Sequence, residues 1–426
     1  MAKLNVAIVG AGLAGLCAAK YAKYSGHTVT VFEQCNEIGG TWIYRESIGV
    51  DEYGLNIHTS MYHNLRTNLP KEIMGFRDFP MPSSSSSYIS SNEVLSYLIS
   101  YAEHFKLNEL IKFKHHVIQV RPFETTKWKI SVKNLPTNNI ETYVFDAVFV
   151  CNGHNCVPSQ PHFEGLNEFQ GHHMHSHNYR RAEAFKDKTV VIIGAGPSGI
   201  DLCNAISKCA KTVVFSHHTH NPNHVYPSNV VRKGSVQRFT KNGAVFADGS
   251  EIDITDIVFC TGYEFTMPFA SDECGLLIDN NYVFPLYKHC INAIHPTMAV
   301  IGYVFHSAIT HMIEIQVRFF MQYLNGNATL PPQEEMLADS TNQLKKRLAL
   351  GWPKKNGHSI AGPLQREYFN DLSATANIEN VREIFLKIFE DCGARRSADP
   401  VNYRLDVYKI IDVEHFERSS LVPHSN

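Results

Sequence analysis

No two of the ten cysteines are spaced as Cys-x-x-Cys, and several of them stand inside apolar runs. That leaves no dithiol redox pair of this spacing, and buried, reduced thiols are the plain reading. The chain therefore needs no oxidising compartment. No run reaches the ~18 apolar residues of a membrane span. Charge of either sign is modest: Lys plus Arg number 39 and Asp plus Glu 41, a net charge of −2. Such a balance offers no bulk field for nucleic acid or an anionic membrane. Glycine (26) and proline (19) follow no period, so collagen-like and low-complexity classes fall away. Aromatic residues, by contrast, are plentiful. The 25 Phe and 19 Tyr are too many for a disordered chain. At ~150 residues per domain, the length suits two to three domains.

The N-terminus has two readings. Lys3, an apolar run and Cys17-Ala18-Ala19 resemble a secretory signal. The same residues read as the strand Leu4 to Val9, the turn Gly10-Ala11-Gly12-Leu13-Ala14-Gly15 and a helix from Leu16 to Tyr24. A second strand, His27 to Phe32, follows with Glu33 at its end, which decides for a βαβ dinucleotide unit. The unit recurs. Lys188 to Ile193 leads into Gly194-Ala195-Gly196-Pro197-Ser198-Gly199, a helix through Lys208 and the strand Lys211 to Phe215. Two such units predict two different nucleotides.

In the first unit the glycines bring the backbone to a pyrophosphate at a helix N-terminus, and Glu33 accepts from ribose hydroxyls. That suits FAD or NAD. In the second, Ser216 is taken as the residue equivalent to Glu33, with His217 and His218 after it. A hydroxyl and partly charged imidazoles tolerate a 2′-phosphate where a carboxylate would repel it. The second unit thus reads as NADPH-binding, although no Arg follows directly; Arg232 and Lys233 come from the next loop. Two surface histidines without a ligand role are the alternative.

Elsewhere, Ser83 to Ser87 reads as a mobile surface loop, and Asn92 to Phe105 as a helix. Val117 to Val120 and Lys127 to Val132 look like strands. Phe145 to Val150 and Asp256 to Cys260 read as buried strands ending in Cys151-Asn152-Gly153 and Thr261-Gly262, as at the carboxyl edge of a doubly wound sheet. Ile313 to Leu324 and Ile378 to Phe389 read as helices, and the tail after Asp391 is polar and aromatic with no anchor. The cluster His172, His173, His175 and His177 lacks complementary Cys or carboxylates, so no metal is expected.

The segment Phe169-x-Gly171-x-x-x-His175-x-x-x-Tyr179-Arg180 resembles the identifying pattern of the flavin-containing monooxygenase family. Gly39-Gly40-Thr41-Trp42, Leu65 to Glu72 with Asp78-Phe79-Pro80, Cys260 to Tyr263, Pro285 to His289 and Glu314-x-Gln316-x-Arg318 are similar to further family segments. The resemblance spans about residues 4–390. In length and motif style the chain is closer to the soluble insect members than to the vertebrate microsomal ones, and among the former it resembles the pyrrolizidine-alkaloid N-oxygenases. The resemblance implies an α/β fold of two Rossmann-like domains, the smaller NADP domain inserted in the FAD domain. Residues 1–165 and 301–426 are expected to form the FAD domain, and 166–300 the NADP domain. It implies that NADPH reduces FAD, that oxygen adds at the flavin C4a carbon, and that a soft nucleophile, an amine nitrogen or a sulfide, takes the distal oxygen.

The resemblance assigns Gly10, Ala11, Gly12, Leu13, Ala14, Gly15 and Glu33 to FAD, with Gly40, Thr41 and Trp42 lining the flavin. Thr67 and Asn68 join them, Asn68 as the catalytic amide at the flavin edge, and Gln316 with Arg318 closes the flavin from a late helix. Gly194, Gly196, Pro197, Ser198, Gly199 and Asp201 are assigned to NADP. Ser216, His217, His218, Thr261 and Gly262 complete that set. The partners expected are a small nucleophile and O2, without nucleic acid or membrane anchor, a homo-oligomer being open. The location expected is soluble: cytoplasmic, or secreted after loss of an upstream signal. The rivals are a Baeyer–Villiger enzyme, against which Tyr179 argues, and an NADPH oxidase or redox-sensing flavoprotein that transfers no oxygen.

Overall fold

The computed structural model describes residues 3–218 and 225–420. Its α-helices among these are α1 (Leu13–Tyr24), α2 (Ser91–His104), α3 (Pro197–Ile206), α4 (Ile309–Leu324), α5 (Gln333–Ala349), α6 (Pro363–Ala376) and α7 (Glu383–Ala398). The first sheet runs Leu286–Tyr287, Ile291–Asn292, Met298–Val300, Ala147–Val150, Asn5–Val9, Thr28–Phe32, Ile111–Lys112. From Met298–Val300 onward its strands are parallel.

Asn5–Val9 is buried after its first residue because both its faces are covered. Successive side chains point to opposite faces. Val6 and Ile8 join a cluster with Leu16 of α1 and Ile315 of α4. Ala7 and Val9 pack instead on Val117, Trp128 and Ile130 of an antiparallel meander, His115–Phe123, Lys127–Asn134 and Asn139–Phe145.

The second sheet repeats this logic with five parallel strands, ordered Val230–Lys233, Thr212–Ser216, Thr189–Ile193, Asp256–Phe259, His172–His175. Val190 and Ile192 face Leu202 and Ile206 of α3, while Val191 faces Phe239, Ala244 and Phe246 of a small antiparallel sheet.

Several expectations need correction. Residues 286–300, expected from sequence in the NADP domain, contribute strands to the first sheet: Met298–Val300 lies beside Ala147–Val150. A three-residue apolar strand carries no mark of which sheet it joins. The helix expected from Ile378 to Phe389 starts five residues later and runs on to Ala398. Asn377 caps α6 in the left-handed conformation (φ 49°), and α7 begins only at Glu383. The serine run is not all surface. Ser87 is fully buried, accepts from the Tyr408 N–H at 2.7 Å and donates to Glu72 at 3.0 Å. The tail is equally built in: a hairpin of Asp406–Ile410 and Phe416–Ser420 packs Tyr408 near Tyr88, Tyr403 and Ile388. Among the described residues, no helix is long and apolar enough to cross a membrane.

Candidate functional site

Two glycine turns form two cradles of the same construction. Gly10 (φ +100°) turns so tightly that a Cβ would meet the Cys151 carbonyl oxygen at 2.7 Å. Gly194 (φ +108°) stands in the same relation to the Cys260 carbonyl oxygen, at 2.4 Å. A Cβ on Gly15 or on Gly199 would lie 1.8 Å from the carbonyl oxygen of Gly10 or Gly194, so only glycine lets each helix sit on its strand. Gly196 faces open space, and Pro197 occupies the first turn of α3. Neither α1 nor α3 has a side-chain N-cap or an acid in its first turn. Their leading N–H groups are thus suited to a pyrophosphate. Leu13, Ala14 and Ser198 stand half-buried in these first turns.

The first cradle is closed on one side by the turn Gly40–Trp42. The Gly39 N–H donates to the Ala11 carbonyl at 3.1 Å, and a Cβ on Gly40 would come within 3.0 Å of the Gly12 Cα. Glu33, buried at the strand end, accepts from the Ala11 N–H at 2.7 Å and the Cys35 N–H at 2.8 Å. Its carboxylate is thereby fixed beside the glycine turn, with lone pairs left for ribose hydroxyls. These features fit the adenosine diphosphate half of a dinucleotide.

In the second cradle the expected equivalence of Ser216 with Glu33 is off by one residue. Val9 pairs with Phe32, and Ile193 with Ser216. The Gly10 N–H donates to the Phe32 carbonyl and the Gly194 N–H to the Ser216 carbonyl. Ser216 therefore matches Phe32, and His217 matches Glu33. Ser216 is buried and its hydroxyl donates to the Gly234 carbonyl at 2.8 Å. The His217 ring lies tilted against Phe215 (4.8 Å between ring centres), and the exposed His218 meets the Ser235 hydroxyl at 2.7 Å. Lys233 is spent on Asp248 (2.8 Å) and Ser250 (2.7 Å). The Thr261 hydroxyl donates to the Ser159 carbonyl, and the Gly262 carbonyl accepts from the Ser159 N–H at 2.9 Å, which ties this strand end to a linker.

Between the cradles runs the segment 57–68. The Thr59 hydroxyl donates to the Thr41 carbonyl at 2.9 Å, by the first cradle. The Tyr62 hydroxyl donates to Asp201 of α3 at 2.6 Å, by the second. Thr67 is buried: its N–H donates to the Ile89 carbonyl at 2.8 Å and its hydroxyl accepts from the Ile89 N–H at 3.1 Å, which fixes its position. Asn68 follows, half-buried, and its side-chain amide has no hydrogen-bond partner among the described residues.

Two sequence assignments change. Asp201 is not open to a nucleotide: its carboxylate takes both guanidinium arms of Arg404, at 2.7 and 2.8 Å, besides the Tyr62 hydroxyl. Gln316 is fully buried, accepts from the Gly302 N–H at 3.0 Å and donates to the Tyr368 hydroxyl at 2.8 Å. It secures the turn after Met298–Val300 rather than reaching a ligand itself. Arg404 and Arg396, which donates to the Asn68 carbonyl at 3.4 Å, were not anticipated. The tail's aromatic residues, Tyr403 and Tyr408 among them, are the one local sign that it packs on the rest of the molecule.

The family-like segment 169–180 braces the second sheet against residues 47–63. His177 bonds the Ile57 carbonyl at 2.9 Å; Arg180 donates to the carbonyls of Ser47 (3.2 Å) and His177 (2.8 Å). Burial, with His177 nearby, holds the His175 imidazole down at about 4, so it is neutral; its Nδ1 accepts from the His177 N–H at 3.1 Å. Among the described residues no group of three or more His, Cys, Asp or Glu could hold a metal.

The model of the flavin-binding monooxygenase-like family matches residues 3–221 and 218–393. The chain is 38% identical to flavin-containing monooxygenase FMO GS-OX5 of Arabidopsis thaliana over 86% of its length and 83% of the relative's. It is 33% identical to the senecionine N-oxygenase of Tyria jacobaeae, over 97% and 91% of the two chains. The structure of S-allyl-L-cysteine S-oxygenase from Allium sativum superposes with a TM-score of 0.89 at 31% identity, covering 95% of each chain. The chain belongs to the flavin-containing monooxygenases, enzymes that work with FAD and NADPH.

Proposed function

We propose that this enzyme transfers one atom of O2 to a soft nucleophile, a tertiary amine nitrogen giving its N-oxide, while the other atom leaves as water and NADPH supplies the electron pair. The observation that carries this reading is the segment 57–68, tied at Thr59 to the first cradle and at Tyr62 to the second, with the amide of Asn68 uncommitted. Bound FAD supplies the chemistry: it accepts the hydride of NADPH and activates oxygen. The chain's own residues hold and shield. The first turn of α1 and Glu33 hold the FAD adenosine diphosphate; the first turn of α3, with His217 and His218, holds NADPH.

Asn68 both donates and accepts without titrating, so it orients oxygen and the nicotinamide side without adding charge. The half-buried Trp42, on its turn beside Gly12, helps keep water out. An amine lone pair needs no activation beyond orientation.

A sulfide is the second reading, supported by the likeness to an S-oxygenase. Comparing kcat/KM for a pyrrolizidine alkaloid and for an alkyl sulfide separates the two. A higher value for the amine with N-oxide as product supports the first. Turnover of the sulfide alone replaces it.

A further inference from the structure

We propose that Arg404 is a positioning residue that makes the setting of Asn68 depend on the NADP helix; this rests on the reading of Asn68 as the oxygenation-site amide. Arg404 lies between α7 and the C-terminal hairpin, far along the chain from everything it holds. One face of its guanidinium grips Asp201 of α3, Nη1 at 2.7 Å and Nη2 at 2.8 Å. Nε donates to the Thr67 carbonyl at 2.8 Å, and Nη2 also to the Arg66 carbonyl at 3.3 Å. The planar fork thus spans α3 and the two residues before Asn68 at once. Arg396 adds a contact to the Asn68 carbonyl at 3.4 Å, and Tyr62 closes the ring by donating to Asp201 at 2.6 Å.

The Arg404 and Asp201 side chains are 17% and 13% exposed, and the Arg404 guanidinium stacks 4.8 Å from the Tyr403 ring. A pair this enclosed contributes little net stability, because desolvation offsets its attraction. Its geometry is what it contributes: a bidentate fork fixes direction as well as distance. Asp201 stands one turn beyond Pro197, where the nucleotide meets α3. A shift of that turn on nucleotide binding passes through Asp201 and Arg404 to the backbone that carries Asn68. Lys at 404 keeps the charge but cannot span both partners.

The test uses the FAD-loaded enzyme. In Arg404→Lys, and independently in Asp201→Asn, flavin content stays normal. The share of NADPH lost as hydrogen peroxide and the KM for NADPH each rise about tenfold, the scale of one charge-assisted hydrogen bond. Backbone hydrogen exchange across residues 62–70 quickens, and NADP+ no longer slows it. Arg395→Ala, which removes a 2.8 Å ion pair to Asp406 in the same tail, lowers the Tm without changing peroxide share or exchange at 62–70. Unchanged peroxide share and unchanged exchange in both Arg404→Lys and Asp201→Asn overturn the proposal. If exchange quickens but Asn68→Ala oxygenates normally, the link stands and the role given to Asn68 falls.

Discussion

Asn68 is surrounded by committed groups, and its side chain is not committed. Thr67 before it is bonded to Ile89, its own carbonyl is bonded to Arg396, and its side-chain amide has no partner among the described residues. A half-buried amide left this way is open to a ligand or to water. Replacing it separates positioning from charge. Asn68→Ala removes both hydrogen-bonding ends; Asn68→Asp keeps the shape and adds a negative charge that disfavours a second one nearby. Both variants are expected to keep FAD and to oxidise NADPH, but to lose product by about a hundredfold, the scale of one preorganised donor, with peroxide appearing instead. Product and peroxide measured side by side check this; full coupling in both variants would remove Asn68 from the chemistry.

At the scale of elements, the strand register sets which residue of the second unit stands where Glu33 stands in the first. Sequence likeness aligns Phe215 with Phe32, since each closes a Val-rich run, and this puts Ser216 opposite Glu33. The hydrogen bonds from Gly10 and Gly194 instead align Ser216 with Phe32 and His217 with Glu33. The two variants now diverge. His217→Glu restores a ribose-binding acid, and the kcat/KM ratio of NADPH to NADH should fall by about tenfold or more, from repulsion of the 2′-phosphate and new bonds to its hydroxyls. Ser216→Glu buries a carboxylate beside the Gly234 carbonyl and should lower the Tm without favouring NADH. A larger NADH gain in Ser216→Glu than in His217→Glu would contradict the register.

The same comparison marks what the sequence makes legible. The glycine turns, the strands before them and Glu33 are short-range signals, because their spacing is itself the geometry. Asp201 and Gln316 looked like ligand contacts because they stand next to such signals. Their partners, Arg404 and Gly302, lie 203 and 14 residues away, and no local pattern announces an ion pair closed by the fold. Likewise the apolar residues Ile378 and Val381 look like the first turn of a helix, yet the chain leaves α6 at the left-handed Asn377 and α7 begins only at Glu383.

At the scale of the whole molecule, burial sets the response to acid. Desolvation holds the imidazoles of His154 and His175 at about 4 and those of His311 and His358 at about 3, against 6.5 for an exposed group. Above 6.5 neither folded nor unfolded chain is protonated at these sites. Below it the unfolded chain takes up protons that the folded one refuses, so stability falls as the pH drops from about 6.5 toward 4. The Tm should decline through that window, before most carboxylates titrate, and His311→Phe should flatten the decline. A Tm constant from pH 6.5 to 4.5 would contradict it.

Oxygen transfer by this enzyme is tested most directly by where the atoms of O2 go. With 18O2, NADPH and a tertiary amine, mass spectrometry of the product, read with NADPH consumption and peroxide release, answers this directly. The account predicts one 18O atom in each N-oxide, one NADPH consumed per product and little peroxide. Stoichiometric peroxide with unlabelled, unoxidised amine would contradict it and make the enzyme an NADPH oxidase.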